Sequence, residues 1–412
     1  MLNKRKRKIL LALSGIGPGL FLIGYNIGTG SVTTMAKSGA EFGMSLFWVL
    51  IFSCIFTYIM MVAYGQVTLI TGHTSLHNIK NNFRFGKVVA IYILLALISG
   101  ELLALMGIMG IVADLLKEAF RLIGGDEGFS TFWIILVLAI GLYLLLWWGG
   151  YPIFEKTMTF FVIAMGLCFI LVFLMVKPSA MVIINGLVPQ IPKSKGALTL
   201  IAAIAGTTCS AAVFVMRSIV VAEKGWTIDD LQHEKKDAFS SAFVMLLLSG
   251  VIMAVSAGTL HVSGLKLVDT VEMIQLFEPL GGKVAAFTLI LGISAAGLST
   301  VFPIILIAPW LICDYMGKPR DIHSPLFRIL GFLGILFCFG MQFMEKRPPA
   351  VLIFSQAFQA VILPAVVIPI FLLINRKNVM QKYTAGVPLN IGLTAVLIFA
   401  LVTTCFAIVD IF

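Results

Sequence analysis

Two runs of small and polar residues interrupt long apolar stretches of the chain, and these runs are the best candidates for chemistry. The first is residues 24–31, GYNIGTGS, and the second is residues 206–210, GTTCS. In a bilayer a helix unwinds only where its freed N–H and C=O groups meet protein, water or a solute. Interruptions at matching places in two halves of a membrane chain are typical of the solute site of a transporter. The sequence therefore predicts a binding site where the two interruptions meet.

The residues expected to contact a solute there are all uncharged. They are Asn26, Ile27, Gly28, Thr29 and Gly30 at the first interruption, Thr207, Thr208 and Ser210 at the second, and Gln356 from a later apolar segment. Four interpretations of the first interruption stay open. Its N–H groups, with the positive end of the half-helix that follows, can hold an anion such as a carboxylate. Its oxygens can instead hold a weakly bound cation, or the run can be a hinge or a site of close helix packing.

Arg217 lies seven residues after Ser210, on the same helical face as the second interruption. A charge within the bilayer is unfavourable by several kcal/mol unless it is paired or hydrated, so we expect Arg217 to face a cavity or a carboxylate. In the site it would favour anionic or zwitterionic solutes. The alternative is that it reaches the cytoplasmic surface near Glu223 and Lys224.

Glu101 lies midway along the third apolar segment. A desolvated carboxyl favours its neutral form, which suits proton uptake, so Glu101 is a candidate proton carrier. The alternative is an ion pair with Arg217 or Arg328. His73 and His77 have a spacing that could hold a metal on a helix, but without a nearby Cys or carboxylate we expect them to be solvated loop residues.

Composition indicates a polytopic membrane protein. Of the 412 residues, 60% are hydrophobic and 12% are charged, and the mean hydropathy is +1.05. The net charge of +10 comes from Lys and Arg that lie mainly in loops, so no nucleic-acid partner is predicted. No phosphate-binding G-x-x-x-x-G-K-[ST] motif and no cluster of catalytic residues occurs in the apolar segments, so neither an enzyme, a cofactor nor ATP-driven transport is predicted.

Eleven stretches are long and apolar enough to span a bilayer. They are 12–37, 44–70, 88–116, 130–148, 156–176, 198–222, 238–261, 284–313, 326–343, 350–374 and 390–410. The interruptions fall in the first and sixth, which cross in opposite senses, so we predict two inverted five-helix repeats (12–176 and 198–374), an additional helix (390–410) and one domain over residues 1–411. The excess of Lys and Arg in alternate loops favours a cytoplasmic N-terminus and an outside C-terminus in a cell membrane.

Several motifs resemble those of the Nramp (natural resistance-associated macrophage protein) metal-ion transporters. They are Gly17-Pro18-Gly19, Ile23-Gly24-Tyr25, Phe277-Glu278-Pro279-Leu280, Ala295-Ala296-Gly297-Leu298-Ser299-Thr300, Ser355-Gln356, Leu363-Pro364 and Ile368-Pro369. The resemblance implies an all-α integral membrane protein with the LeuT-like inverted repeat, discontinuous helices one and six, and alternating access. It also aligns Glu101 with the first of two acidic residues on the family's proton route, the second being replaced by Ala104.

The family's metal ligands are replaced in this sequence. Where family members have Asp-Pro-Gly-Asn, this chain has Ile27-Gly28-Thr29-Gly30, and where they have Ala and then Met-Pro-His, it has Thr207 and then Ser210-Ala211-Ala212. Sites for Mn²⁺ or Fe²⁺ normally recruit carboxylate, imidazole or thioether groups, so no metal ligands are predicted at these positions.

The first functional hypothesis is an Nramp-like secondary transporter for a small anionic or zwitterionic solute, without selectivity for Mn²⁺ or Fe²⁺. The first alternative is a proton-coupled transporter of a divalent cation of the Mg²⁺ or Mn²⁺ type, bound through water and neutral oxygens. The second alternative is a membrane sensor that does not transport.

Overall fold

A computed structural model describes residues 28–124, 129–148, 151–194, 196–344 and 348–411, and its regular structure in these ranges is entirely helical. The α-helices are α1 (Thr29–Phe42), α2 (Phe47–Thr71), α3 (Ser75–Asn82), α4 (Gly86–Gly124), α5 (Thr131–Trp148), α6 (Tyr151–Val176), α7 (Ala180–Asn185), α8 (Ala197–Thr208), α9 (Ala211–Glu223), α10 (Leu231–Ser256), α11 (Thr270–Met316), α12 (Pro325–Phe337), α13 (Pro348–Ile374), α14 (Lys377–Met380) and α15 (Val387–Ile411). A π-helical turn, Ala257–His261, extends α10.

Nine helical stretches in the described ranges are long and apolar enough to cross a membrane, with α8 and α9 forming one of them. The predicted all-helical membrane architecture is therefore confirmed, whereas the count of eleven is not. The ninth predicted segment, 326–343, is a helix of 13 residues, α12, followed by the 3-10 turn Gly340–Phe343. At about 1.5 Å per residue α12 is shorter than the hydrocarbon core. Most of the first predicted segment lies outside the described residues.

The second interruption is a break between two helices. Helix α8 ends at Thr208 and α9 begins at Ala211, while Ser210 between them is extended (φ −71°, ψ 127°). Only Cys209 and Ser210 leave the helix, so the break is shorter than the interruption at residues 206–210, and Gly206 remains helical.

At the first interruption α1 begins at Thr29, preceded by an extended Gly28 (φ −91°, ψ −172°). The half-helix expected to start there is therefore present. Asn26 and Ile27 lie outside the described residues.

Helix α10 fixes the position of α1 through bonds between side chains and backbone. Ser256 Oγ donates to the carbonyl oxygen of Ala36 (2.5 Å), and His261 Nδ1 lies 3.1 Å from the carbonyl oxygen of Ala40. One turn after Gly28, Ser31 Oγ lies 3.3 Å from Ser249 Oγ of α10. Helix α1, which consists mostly of small residues, is thus held in a fixed position against the long helix α10.

Helices α8 and α13 approach each other at the level of their backbones. A Cβ atom on Gly206 would overlap the carbonyl oxygen of Gln356 and would lie 2.9 Å from the amide nitrogen of Ala360. Glycine at 206 therefore allows α13 to lie against the end of α8, which brings Gln356 to the break. Helices α4 and α11 pack on each other, and α4 also packs on α13, so these helices enclose the break.

We predict that Gly206→Ala destabilises the fold by about 1–3 kcal/mol, because the added methyl group must push two helix backbones apart. The measurement is thermal unfolding of the purified protein in detergent. The matched control is Gly141→Ala on α5, where a Cβ atom meets nothing within 4 Å. Equal unfolding temperatures for the two variants would show that α8 and α13 are not in backbone contact.

Candidate functional site

A small cavity lies where the start of α1 and the break between α8 and α9 meet α4, α11 and α13. Its volume is about 30 Å³, which is enough for a bare ion or one or two water molecules. The residues that line it are Gly28, Gly30, Ser31, Glu101, Ala104, Ile108, Thr207, Ser210, Thr300, Ile304 and Gln356. The two interruptions singled out in the sequence therefore meet at a cavity, and five helices contribute residues to its wall.

Five of the nine predicted contact residues line the cavity, namely Gly28, Gly30, Thr207, Ser210 and Gln356. Gly30 lies under Gln356, since a Cβ atom on Gly30 would be 2.6 Å from Gln356 Nε2. Gly28 lies against Thr300 of α11, whose side chain a Cβ atom there would overlap. Both glycines thus let the start of α1 approach neighbouring side chains closely.

Two predicted residues point elsewhere. Thr29 Oγ1 is buried and faces α11. A Cβ atom on Gly297 of α11 would lie 2.6 Å from this oxygen. Thr208 is absent from the cavity wall, and its carbonyl oxygen accepts a hydrogen bond from Thr57 Oγ1 of α2 (2.9 Å). The remaining two, Asn26 and Ile27, lie outside the described residues.

Sequence reasoning missed five lining residues, of which Ser31 and Thr300 are polar. Helical spacing could have found Ser31, because the third residue after Gly28 returns to the same face once a helix starts at Thr29. Thr300 belongs to a segment singled out only for its family resemblance. Its approach to Gly28 depends on how α11 packs, which no local pattern shows.

Glu101 brings a carboxyl group to this cavity. The residue is 6% exposed, and Gln359 Nε2 donates to Glu101 Oε1 across 2.7 Å. Neither Arg217 nor Arg328 is its partner, because Arg217 bonds to α10 and Arg328 stacks on Trp147. The alternative of an ion pair between Glu101 and Arg217 or Arg328 is therefore not found among the described residues. The carboxyl of Glu101 lines the same cavity as residues at the helix breaks, and none of the described lining residues is cationic.

Arg217 does not face the cavity. It is fully buried and forms a fork with Glu234 of α10, Nε to Oε1 at 3.0 Å and Nη2 to Oε2 at 2.5 Å. Its Nη1 bonds to Asp237, and Gly65 of α2 leaves room for the Glu234 carboxylate. The expected carboxylate partner is therefore present. The expected positions in the site or at the surface near Glu223 and Lys224 are wrong, because the guanidinium faces the first turns of α10.

The arrangement can hold a cation by ordinary coordination chemistry. Glu101 supplies negative charge, and the hydroxyls of Ser31, Thr207 and Ser210 supply neutral oxygen. Helix α8 ends at Thr208, so carbonyl groups of its last turn lose their helical partners at the same place. An anion would meet the N–H groups that begin α1, but it would lie beside the carboxyl of Glu101.

The histidine pair lies at the start of α3. The rings of His73 and His77 stack with centroids 4.3 Å apart, and no group of three or more metal-binding side chains occurs in the described part of the chain. Burial, with smaller contributions from His73 and Lys80, lowers the pKa of His77. His77 therefore stays uncharged at neutral pH.

Comparisons with known proteins agree in family and fold. A family profile described as natural resistance-associated macrophage protein-like matches residues 19–410. The divalent metal cation transporter MntH of Pectobacterium carotovorum is 23% identical over 403 residues, which cover 93% of this chain and 90% of that protein.

Two solved structures share the fold. The manganese transporter of Eremococcus coleocola, in complex with an aromatic bis-isothiourea compound, has a TM-score of 0.74 at 13% identity, covering 97% of this chain and 86% of that one. MhsT in complex with L-phenylalanine has a TM-score of 0.64 at 15% identity, covering 96% and 98%. These similarities confirm the LeuT-like fold.

We predict that Arg217→Met destabilises the protein by about 3–5 kcal/mol, because it leaves carboxylates buried without their cation. Thermal unfolding and expression level are the measurements. Arg121→Met is the matched control, since Arg121 pairs with Glu118 at the surface (3.4 Å) and a surface pair contributes less than about 1 kcal/mol. A similar small effect of both substitutions would contradict the buried arrangement.

Proposed function

The chain belongs to the Nramp-like family of membrane transporters, and from that premise we propose that its cargo is a small, hard divalent cation of the Mg²⁺ or Mn²⁺ class. The cation would bind in the cavity at the helix breaks. This replaces the anionic or zwitterionic solute as the leading hypothesis.

The observation that carries the proposal is the presence of Glu101 in a cavity whose described lining residues include no cationic side chain. A buried carboxylate attracts cations strongly, because the surrounding dielectric is low. The anionic hypothesis depended on Arg217, whose charge is compensated by Glu234 and Asp237. The volume of about 30 Å³ also favours an ion over an amino acid.

The donor atoms indicate which cations fit. Oxygen ligands suit hard ions, whereas thioether and imidazole groups select softer transition metals. The lining offers the carboxylate of Glu101, four hydroxyls and the carboxamide of Gln356, and bound water can complete the coordination of Mg²⁺. Relatives are named divalent metal cation transporter MntH, and this name supports a divalent cation as the cargo. We therefore propose weaker discrimination between Mg²⁺ and Mn²⁺ than a site with a soft ligand would show.

The proposal also includes the energy source for transport and the orientation of the chain in the membrane. An ion gradient would drive alternating access. Protons are the first candidate for the coupling ion, and Glu101 is the candidate group that binds and releases them. The protein would lie in the cell membrane, with its N-terminus in the cytoplasm and its C-terminus outside, as the loop charges predict. Saturable uptake into proteoliposomes separates a transporter from a membrane sensor.

We predict that Glu101→Gln lowers the affinity for Mg²⁺ and Mn²⁺ at least about tenfold, because Glu101 is the only charged residue among the described residues that line the cavity. The substitution preserves shape and hydrogen-bonding capacity, and calorimetry on the purified protein measures binding. Glu118→Gln is the control, since Glu118 pairs with Arg121 outside the cavity. If Glu101→Gln binds both ions as the unaltered protein does, the cavity is not the cation site.

A second prediction concerns selectivity. In competition assays we expect Mg²⁺ and Mn²⁺ to bind within about tenfold of each other and Cd²⁺ to gain no advantage, because the described lining residues carry oxygen donors and no sulfur. Ser210→Cys places a thiol in the wall and should raise Cd²⁺ affinity without a similar gain for Mg²⁺. Saturable uptake of an amino acid by a protein that binds neither divalent ion would restore the earlier hypothesis.

A further inference from the structure

Arg328 of α12 carries a charge that the described residues do not neutralise. Its guanidinium lies over the ring of Trp147, with Cζ 3.8 Å from the centroid. Its Nε atom is buried without a hydrogen-bond partner, and no carboxylate in the described ranges is within ion-pair distance of it. A half-buried guanidinium beside a membrane needs a counter-charge, and a ring face alone provides only part of it.

The position of Arg328 along its helix matches the level of lipid headgroups. Ser324 caps α12 and Pro325 begins it, so Arg328 lies one turn inside the helix. It meets Trp147 at the end of α5, and Trp148 beside it is 72% exposed. Tryptophan at the ends of spanning helices is typical of the membrane interface.

An apolar groove continues from Arg328 between α5 and α12. Tyr143 links its two sides, with ring centroids 5.9 Å from Trp147 and 5.7 Å from Phe332. Phe332 and Leu144 are 46% and 40% exposed. These exposed side chains give the groove an apolar surface of the kind that acyl chains cover in a bilayer.

We propose that this end of the α5–α12 groove binds an anionic phospholipid. The phosphodiester would accept hydrogen bonds from the Arg328 guanidinium, which Trp147 holds flat, and an acyl chain would lie along Tyr143 and Phe332. Guanidinium and phosphate suit each other in charge and in their two-point geometry. The adjoining apolar groove favours a lipid over free phosphate as the source of the anion.

The site also contacts the helix that forms one wall of the cavity. Gly334 of α12 lies against Ile305 of α11, since a Cβ atom on Gly334 would be 3.4 Å from the Ile305 carbonyl oxygen. Thr300 and Ile304 of the same helix line the cavity. A lipid bound to α12 would therefore stabilise the packing of α11.

The test is native mass spectrometry of the full-length protein with phosphatidylglycerol and, separately, phosphatidylcholine of the same acyl chains. We expect the unaltered protein to retain phosphatidylglycerol preferentially, and Arg328→Gln to lower that retention about fivefold, the effect of one cation at a membrane surface. Arg84→Gln is the matched control, an exposed arginine whose guanidinium lies 5.6 Å from the Phe85 ring. It should retain the lipid as the unaltered protein does.

Three results would overturn the proposal. They are equal retention of both lipids, unchanged retention in Arg328→Gln, and displacement of the lipid by millimolar inorganic phosphate, which would indicate a phosphate site. A change of oligomeric state in Arg328→Gln without loss of lipid would indicate a second copy of the chain as the occupant. If Arg328→Gln fails to fold, thermal unfolding of the unaltered protein decides, because only phosphatidylglycerol should then raise the unfolding temperature.

Discussion

Backbone groups freed at a helix break inside a membrane must find partners within the protein, and the central arrangement of this molecule depends on that constraint. Helix α8 ends with carbonyl groups that no further turn can use, and Thr57 of α2 donates to the last of them. Glycine at 206 lets α13 lie against the same helix end. The breaks are thus surrounded by helices, which leaves only a small cavity beside them.

The charged side chains of Arg217 and Glu101 differ in their described partners. Arg217 is fully buried, and Glu234 and Asp237 lie on the helix that faces it, so it acts as a structural tie between α9 and α10. Glu101 lies at the cavity with a carboxamide as its described hydrogen-bond partner. A neutral donor orients a carboxylate without cancelling its charge. Arg217 is thus paired with carboxylates within the fold, whereas Glu101 lies on the wall of the cavity.

Patterns within single segments predicted the membrane class, the helical architecture and both interruptions, because hydropathy and small polar runs are local properties. The partners of Arg217 follow it by 17 and 20 residues. Their three-residue spacing at the start of α10 was a signal that could have been used. Nothing local places Glu101 or Thr300 beside the breaks, since both positions depend on the packing of α4 and α11. The length of α12 was overestimated, because the apolar sequence continues past the end of the helix.

The bonds of α10 have a mechanical consequence. Helix α1 is tied to α10 through Ala36 and Ala40, and α9 is tied to it through Arg217. Helix α8 instead lies against α13 and is joined to α9 by only two residues. Helices α1 and α9 are therefore both hydrogen-bonded to α10, whereas α8 has a close backbone approach to α13. Cys209 and Ser210 form the short non-helical link between these two sets of contacts, so a change in the spacing of α10 and α13 would have to be accommodated at these two residues.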